Sequence, residues 1–327
     1  MRTLLALAAL VLVAACGSSE GGADKAAVKE GRWSYVSGNG ETVKVDHTPV
    51  RIIAHSDEAA ALMSYGIKPV GIFGNEKPAE NRNLKDHDLD GIAVLGTAWG
   101  EVDVEKAAAL NPDLIVTDWW PAEKAYGGFE NGVKAKSKKL ADLAPVIGGS
   151  QGKSLVETIA YYEGLAASLG ADVAQGADEK EAFEAAVARF RKATAAKPGL
   201  TVMAMSPADD MLYVGNPPYS PELMDFGKWG LKVLAPKSPD PSFPYWENLS
   251  WEKADSYQPD LVLMDDRAWE QSQKIAAKQP TWKSIRAVAA GAVVPWPAYW
   301  IHTYASYAEQ LDELAAAIEN ARADIGS

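Results

Sequence analysis

Val104-Glu105-Lys106-Ala107-Ala108-Ala109-Leu110-Asn111-Pro112-Asp113-Leu114-Ile115-Val116 is a short helical run that stops at a Pro-Asp turn and resumes as an apolar strand. About 147 residues later comes an echo, Trp251-Glu252-Lys253-Ala254-Asp255-Ser256-Tyr257-Gln258-Pro259-Asp260-Leu261-Val262-Leu263. Glu-Lys and Pro-Asp hold the same places in both copies. Repetition of one supersecondary unit at this distance predicts two similar lobes.

The flanking residues extend each copy. Arg51-Ile52-Ile53-Ala54 and Pro69-Val70-Gly71-Ile72-Phe73 read as buried strands, with a helix over 58–65 between them that Asp57 would cap and Gly66 would end. In the second half, strands are expected at 201–204, 261–264 and 292–294, with helices at 221–229 and 306–321. Strands alternating with helices at this spacing call for α/β lobes with mostly parallel central sheets. Helical patterns at 155–169 and 179–196 lie between the halves, and the second, with Phe183, Ala186, Val187 and Phe190 on one face, is the expected connector. Ahead of everything, Trp33-Ser34-Tyr35-Val36 and Thr42-Val43-Lys44-Val45 alternate around Asn39-Gly40, the pattern of a hairpin. The expected division is a leader at 1–16, a tether at 17–31, a first lobe at 32–174, a connecting helix at 175–197 and a second lobe at 198–327.

The leader has a positive start at Arg2, an apolar run from Leu4 that is too short to span a bilayer, and then Val13-Ala14-Ala15-Cys16. Small residues followed by cysteine match a bacterial lipobox. This places a lipid anchor on Cys16 and the mature protein on the extracytoplasmic face of the membrane. Cys16 is the only cysteine of 327 residues, so disulfides are excluded. A net charge of −12 argues against nucleic acid. No phosphate loop, nucleophile elbow or dinucleotide fingerprint is present, and Gly38-Asn39-Gly40 belongs to the hairpin turn. The chain therefore reads as a binding protein without cofactor, with a lipid-anchored enzyme as the alternative from another class.

Val50-Arg51-Ile52-Ile53-Ala54, Gly66-Ile67-Lys68-Pro69-Val70-Gly71 and Asn111-Pro112-Asp113-Leu114-Ile115, in this order behind a lipobox, resemble the substrate-binding lipoproteins of ABC importers for iron-siderophores, haem and cobalamin. The resemblance runs from Trp33 to the C-terminus. It implies two Rossmann-like lobes joined by one long helix, a ligand in the cleft between them, and a monomer that hands its cargo to a permease dimer. Glu105 and Glu252 match the glutamates that dock such proteins on the permease. Trp99, Trp246 and Trp300 fall where members place ligand-contacting aromatics. Trp119 is one residue off the comparable position, which leaves open whether it or Trp120 faces the cleft.

Ligands of open α/β sheets sit beyond the carboxyl ends of the strands. The loops there add Tyr213, Arg267, Trp296, Tyr299 and His302 to the candidates. Aromatic side chains give broad contact with a greasy chelate. The same loops carry Asp118, Asp265 and Asp266 against the single cation Arg267, a balance that suits a neutral or cationic ligand such as a ferric hydroxamate. Cobalamin and haem remain open on the same fold; haem would ask Tyr213, Tyr299 or His302 for an iron ligand. A bare metal ion held through His55 and His302 is the remaining alternative.

Overall fold

The computed structural model describes residues 30–267, 269–299 and 301–326. The leader, Cys16, nearly all of the tether and Trp300 lie outside the described residues. The opening alternation forms a hairpin, β1 (Glu30–Val36) with β2 (Thr42–His47), Trp33 opposite Val45 and Tyr35 opposite Val43. Gly40 takes φ +85° in its turn, a region open to glycine without steric cost.

The first lobe follows as β3 (Ile52–His55), α1 (Ser56–Met63), β4 (Gly71–Phe73), β5 (Ala93–Val94), α2 (Val104–Ala109) and β6 (Leu114–Val116). A two-residue pair, β7 (Trp119–Trp120) and β8 (Ala125–Tyr126), precedes α3 (Ala135–Lys138), β9 (Val146–Ile147), α4 (Leu155–Ser168) and α5 (Ala177–Ala196). The order β5-β4-β3-β6-β9 is parallel throughout. Ile52, Ile53 and Ala54, like Leu114, Ile115 and Val116, are buried on both faces, which is why these strands read as unbroken apolar runs. Helix α1 begins two residues before the expected start. Asp57 does not cap it but lies buried in its first turn, accepting from the Nδ2 atoms of Asn81 and Asn83 at 3.3 and 3.1 Å.

The second lobe comprises β10 (Thr201–Pro207), β11 (Met211–Gly215), α6 (Pro221–Lys228), β12 (Lys232–Val233), β13 (Trp246–Ser250), β14 (Leu261–Asp265), α7 (Trp269–Lys278), α8 (Arg286–Ala289), β15 (Val293–Trp296) and α9 (Tyr304–Asn320). Its order is β13-β11-β10-β14-β15, with β12 also on β10. The strands β12, β10, β14 and β15 run parallel, and β11 is antiparallel to both of its neighbours, β10 and β13. The segment expected to be a strand-end loop carrying Tyr213 turns back at Asp209-Asp210 into this hairpin. Leu212 and Val214 enter the core at a spacing of two, which sets Tyr213 on the other face.

Both copies of the repeat do the same work. Ala107 and Ala254 are buried, and Glu105 and Glu252 are exposed. The first copy winds as α2, capped by Asp103, whereas the second is a 3-10 turn over Trp251–Ser256. Each Pro-Asp carboxylate then anchors the opening strand of its lobe. Asp113 accepts from the backbone N–H groups of Val50 and Arg51, and Asp260 from those of Thr201 and Gly326.

The lobes share α4. Leu155 and Ile159 enter the core beneath the second sheet, and Tyr162, Leu165 and Ala166 that of the first. The buried face of α5, with Phe183, Ala186, Phe190 and Ala193, belongs wholly to the second core. Among the described residues no helix is long and apolar enough to cross a membrane.

Candidate functional site

A cavity of about 480 Å³ opens between the lobes at the carboxyl ends of their strands. Strand β3 delivers His55 to it, the segment after β6 delivers Asp118 and Trp120, the segment after β14 delivers Arg267, and the segment after β15 delivers Tyr299. Trp99 projects from the loop after β5 and is 54% exposed; Phe243, 42% exposed, faces the cavity from the other lobe. Exposed rings on a cavity wall are unpartnered apolar surface that a ligand can cover.

The short pair β7–β8 separates Trp119 from Trp120. Trp119 turns to Tyr126, centroids 5.0 Å apart, and does not line the cavity. Trp120 does, and its ring crosses to the second lobe, 5.2 Å from Tyr245 and 5.4 Å from Tyr299. Tyr299 is held in the left-handed region, φ +63°, which is strained for a side chain of this size. Its N–H donates to Glu222 at 2.7 Å and its hydroxyl to the Tyr219 carbonyl at 3.1 Å. Glu222 is fully buried in the first turn of α6, and burial pushes its carboxyl up to about 7.

Several expected contacts lie elsewhere. Trp246 and Trp296 are 6% and 1% exposed and pack on one another behind Tyr299, so neither lines the cavity. The central sheet takes them as core because they occupy strand positions rather than loops. Tyr213 packs on Trp246, also away from the cavity. Arg267 lines the wall, but its guanidinium is paired with Asp265 at 2.5–3.0 Å. Asp266 is likewise taken, by Arg82 of the first lobe at 2.8 Å.

His302 is 2% exposed and sits beneath the cavity rather than in its wall. Its Nε2 reaches across from the start of α9 to Asp118 at 3.2 Å and Glu58 at 3.5 Å. The Tyr162 hydroxyl lies 3.3 Å from the same Asp118 oxygen, and His55 Nδ1 3.1 Å from the other oxygen of Glu58. Burial opposes the Asp118 carboxylate, yet His302 beside it outweighs burial and holds the group well below its usual range. Burial equally opposes the His302 imidazolium, and the neighbouring carboxylates, Asp118 foremost, carry it up to about 9. Burial and the charge of Asp118 push Glu58 the other way, well above the ordinary range. The cluster pairs His302 with Asp118, with Glu58 beside them, and joins the two lobes. His55 and His302 thus meet different oxygens of one glutamate and do not share a common centre. No sequence signal marked Glu58 or Tyr162, because their partners come from α9 and from the end of β6.

A family model described as periplasmic binding protein matches residues 72–300. The chain belongs to the periplasmic binding protein family. DesE, a ferric-siderophore receptor protein from Streptomyces coelicolor, is 36% identical over 89% of this chain and 99% of its own, with a TM-score of 0.78. The petrobactin-binding protein YclQ from Bacillus subtilis shares the fold at 19% identity, over 88% of this chain and 99% of its own, with a TM-score of 0.64. The putative ABC transporter substrate-binding lipoprotein YhfQ of Bacillus subtilis (strain 168) is 32% identical over 130 residues, 38% of this chain and 39% of that relative. The match to that relative therefore spans well under half of its length. For a periplasmic binding protein, two α/β lobes with the cavity between their strand ends are the expected frame.

Proposed function

We propose that this chain is the lipid-anchored receptor of an ABC importer and that it captures a ferric siderophore, by preference a hydroxamate, in the cavity between its lobes. The observation that carries the ligand class is the wall itself. Trp99, Trp120, Phe243 and Tyr299 offer rings, and Arg267, the one lysine or arginine lining it among the described residues, is already committed to Asp265. Anionic catecholate or citrate chelates need free guanidinium or ammonium groups, which this wall does not offer. Haem would need an iron ligand, but Tyr213 is turned away, His302 is buried in its ion pair, and the Tyr299 hydroxyl donates to a carbonyl. The 36% identity with DesE over nearly the whole of both chains supports a ferric siderophore.

Glu105 and Glu252, exposed at matching turns of the two lobes, would dock the receptor on the two permease subunits, and Cys16 would carry the lipid. Titrating the full chain in detergent with ferrioxamine B, ferric enterobactin, haem and cyanocobalamin, followed by tryptophan fluorescence, tests the reading. Quenching by ferrioxamine B at the lowest concentration is expected. A preference for the catecholate would overturn the hydroxamate assignment, and a response to cobalamin or haem alone would move the ligand class. Silence with all four, followed by heat release on adding iron or zinc salts, would favour a bare metal ion.

A further inference from the structure

Two carboxylates in the cavity wall have no counter-ion. Glu123, in the turn between β7 and β8, and Glu130, just beyond β8, both line the cavity. Every other charged side chain around it is engaged: Asp118 with His302, Arg267 with Asp265, Glu101 with Lys134, His55 with Glu58, and Asp57 with Asn81 and Asn83. Among the described residues, neither Glu123 nor Glu130 makes an ion pair, and Glu130 Oε2 is buried without a hydrogen-bond partner.

The surroundings are equally specific. Trp120 and Phe243 line the cavity beside them, and the Tyr245 ring stands 5.2 Å from one and 4.9 Å from the other. Tyr245 itself is 1% exposed and stands behind these rings rather than in the wall. It lies near enough to both glutamates to feel their charge. Burial first, and Glu130 second, lift the Glu123 carboxyl above its ordinary range, as expected of two acids facing the same space without a cation. Carboxylates without an ion-pair partner, in a wall that also carries aromatic rings, make an environment that can receive an ammonium group, through charge-assisted hydrogen bonds and cation–π attraction.

We propose that Glu123 and Glu130, with the rings of Trp120 and Phe243, form a subsite for a protonated amine carried by the chelate, so that the cavity selects cationic over neutral ferric hydroxamates. The proposal rests on the siderophore reading above and adds the charge of the cargo to it. An amine seated there satisfies Glu130 Oε2 and relieves the repulsion between the two acids.

The test is a pair of fluorescence titrations of the full chain in detergent, with ferrioxamine B, which carries a terminal primary amine, and with its N-acetylated, neutral form. The amine form is expected to bind about tenfold more tightly at low ionic strength, equivalent to about 1.4 kcal/mol. The preference shrinks as salt screens the partly exposed pair. In the double variant Glu123→Gln/Glu130→Gln, the preference should fall to about twofold or less, as for exposed charge pairs in general. Its denaturant unfolding should match that of the native chain, which reports that the fold is intact. Equal binding of the two chelates by the native chain, or a preference surviving in the double variant, would refute the subsite and leave the receptor reading standing. No quenching by either chelate would overturn both.

Discussion

Asp118 and Glu123 stand five residues apart, line the same cavity, and differ in company. Asp118 lies at the floor, where His302 arrives from 184 residues away to neutralise it. Glu123 lies in the wall, where nothing arrives. The floor is a joint between the lobes with its charges paired; in the wall, neither Glu123 nor Glu130 makes an ion pair among the described residues. Charge counted along a sequence is therefore not the charge a ligand meets. Asp118, Asp265 and Asp266 all looked like cleft acids, and each is consumed by a cation of the protein itself, whereas Glu123 and Glu130 carried no mark.

The contrast breaks most visibly at His302. His302→Leu removes the cation and leaves Asp118 buried and unpaired, which should cost about 3–5 kcal/mol in denaturant unfolding. Glu123→Gln in the wall should move stability by no more than about 0.5 kcal/mol. Should His302→Leu unfold within about 1 kcal/mol of the native chain, the floor is no joint.

The same joint has a pH signature of opposite sign to an ordinary acid. His302 is raised to about 9 in the folded protein from a usual value of about 6.5, so its contribution is complete below about 6.5 and is lost as pH rises through 9. Asp118, Glu58, Asp57, Tyr162 and Glu222 surround it, and Glu58, raised by burial, weakens folding in the same direction as pH increases. Asp118 acts oppositely, stabilising above its unfolded value and failing only in acid. Unfolding free energy should thus fall by about 2–3 kcal/mol between pH 6.5 and 9. In His302→Leu that fall should be largely absent; a native-like slope in the variant would assign it to other groups.

In the wall, Trp120 is the ring that both lines the cavity and bridges the lobes. Trp120→Ala should weaken binding of ferrioxamine B by about thirtyfold, corresponding to about 2 kcal/mol for a central aromatic anchor. Trp119→Ala, which strips a ring packed on Tyr126, should cost less than about threefold. Reversal of these two would mean that the pair β7–β8 shifts register when ligand binds.

How far the chain could be read follows from where its partners lie. The strands at 52–55, 114–116 and 261–265 and the two Pro-Asp turns are local, set by apolar runs and turn chemistry within a dozen residues. The hairpin β10–β11 was missed because Asp209-Asp210 carries no glycine or proline, and only pairing with β13 shows that Leu212 and Val214 alternate into a core. Trp246, expected as a ligand ring from the family resemblance, and Trp296, expected as one from its strand end, both turn into the core, because the sheet covers the face they occupy. The 3-10 turn at Trp251–Ser256 was invisible for a similar reason: Glu-Lys and a buried alanine suit either helix.

The repeat itself gives the finest comparison. Asp113 accepts from Val50 and Arg51 at 3.0 and 2.9 Å, with its side chain 15% exposed. Asp260 is buried, where Asp113 is only partly so, and accepts from Thr201 N, Thr201 Oγ1 and Gly326 N, all at 2.8 Å, so it ties both the first strand and residue 326 to the second lobe. Removing a buried acceptor strands its donors at a cost that rises with burial. Asp260→Ala should therefore cost about 2 kcal/mol and Asp113→Ala about 1 kcal/mol in the same unfolding experiment. If the two costs were equal, the turns would be interchangeable braces. The expected inequality would instead show that the second copy of the unit carries more of the load, because residue 326 closes on it.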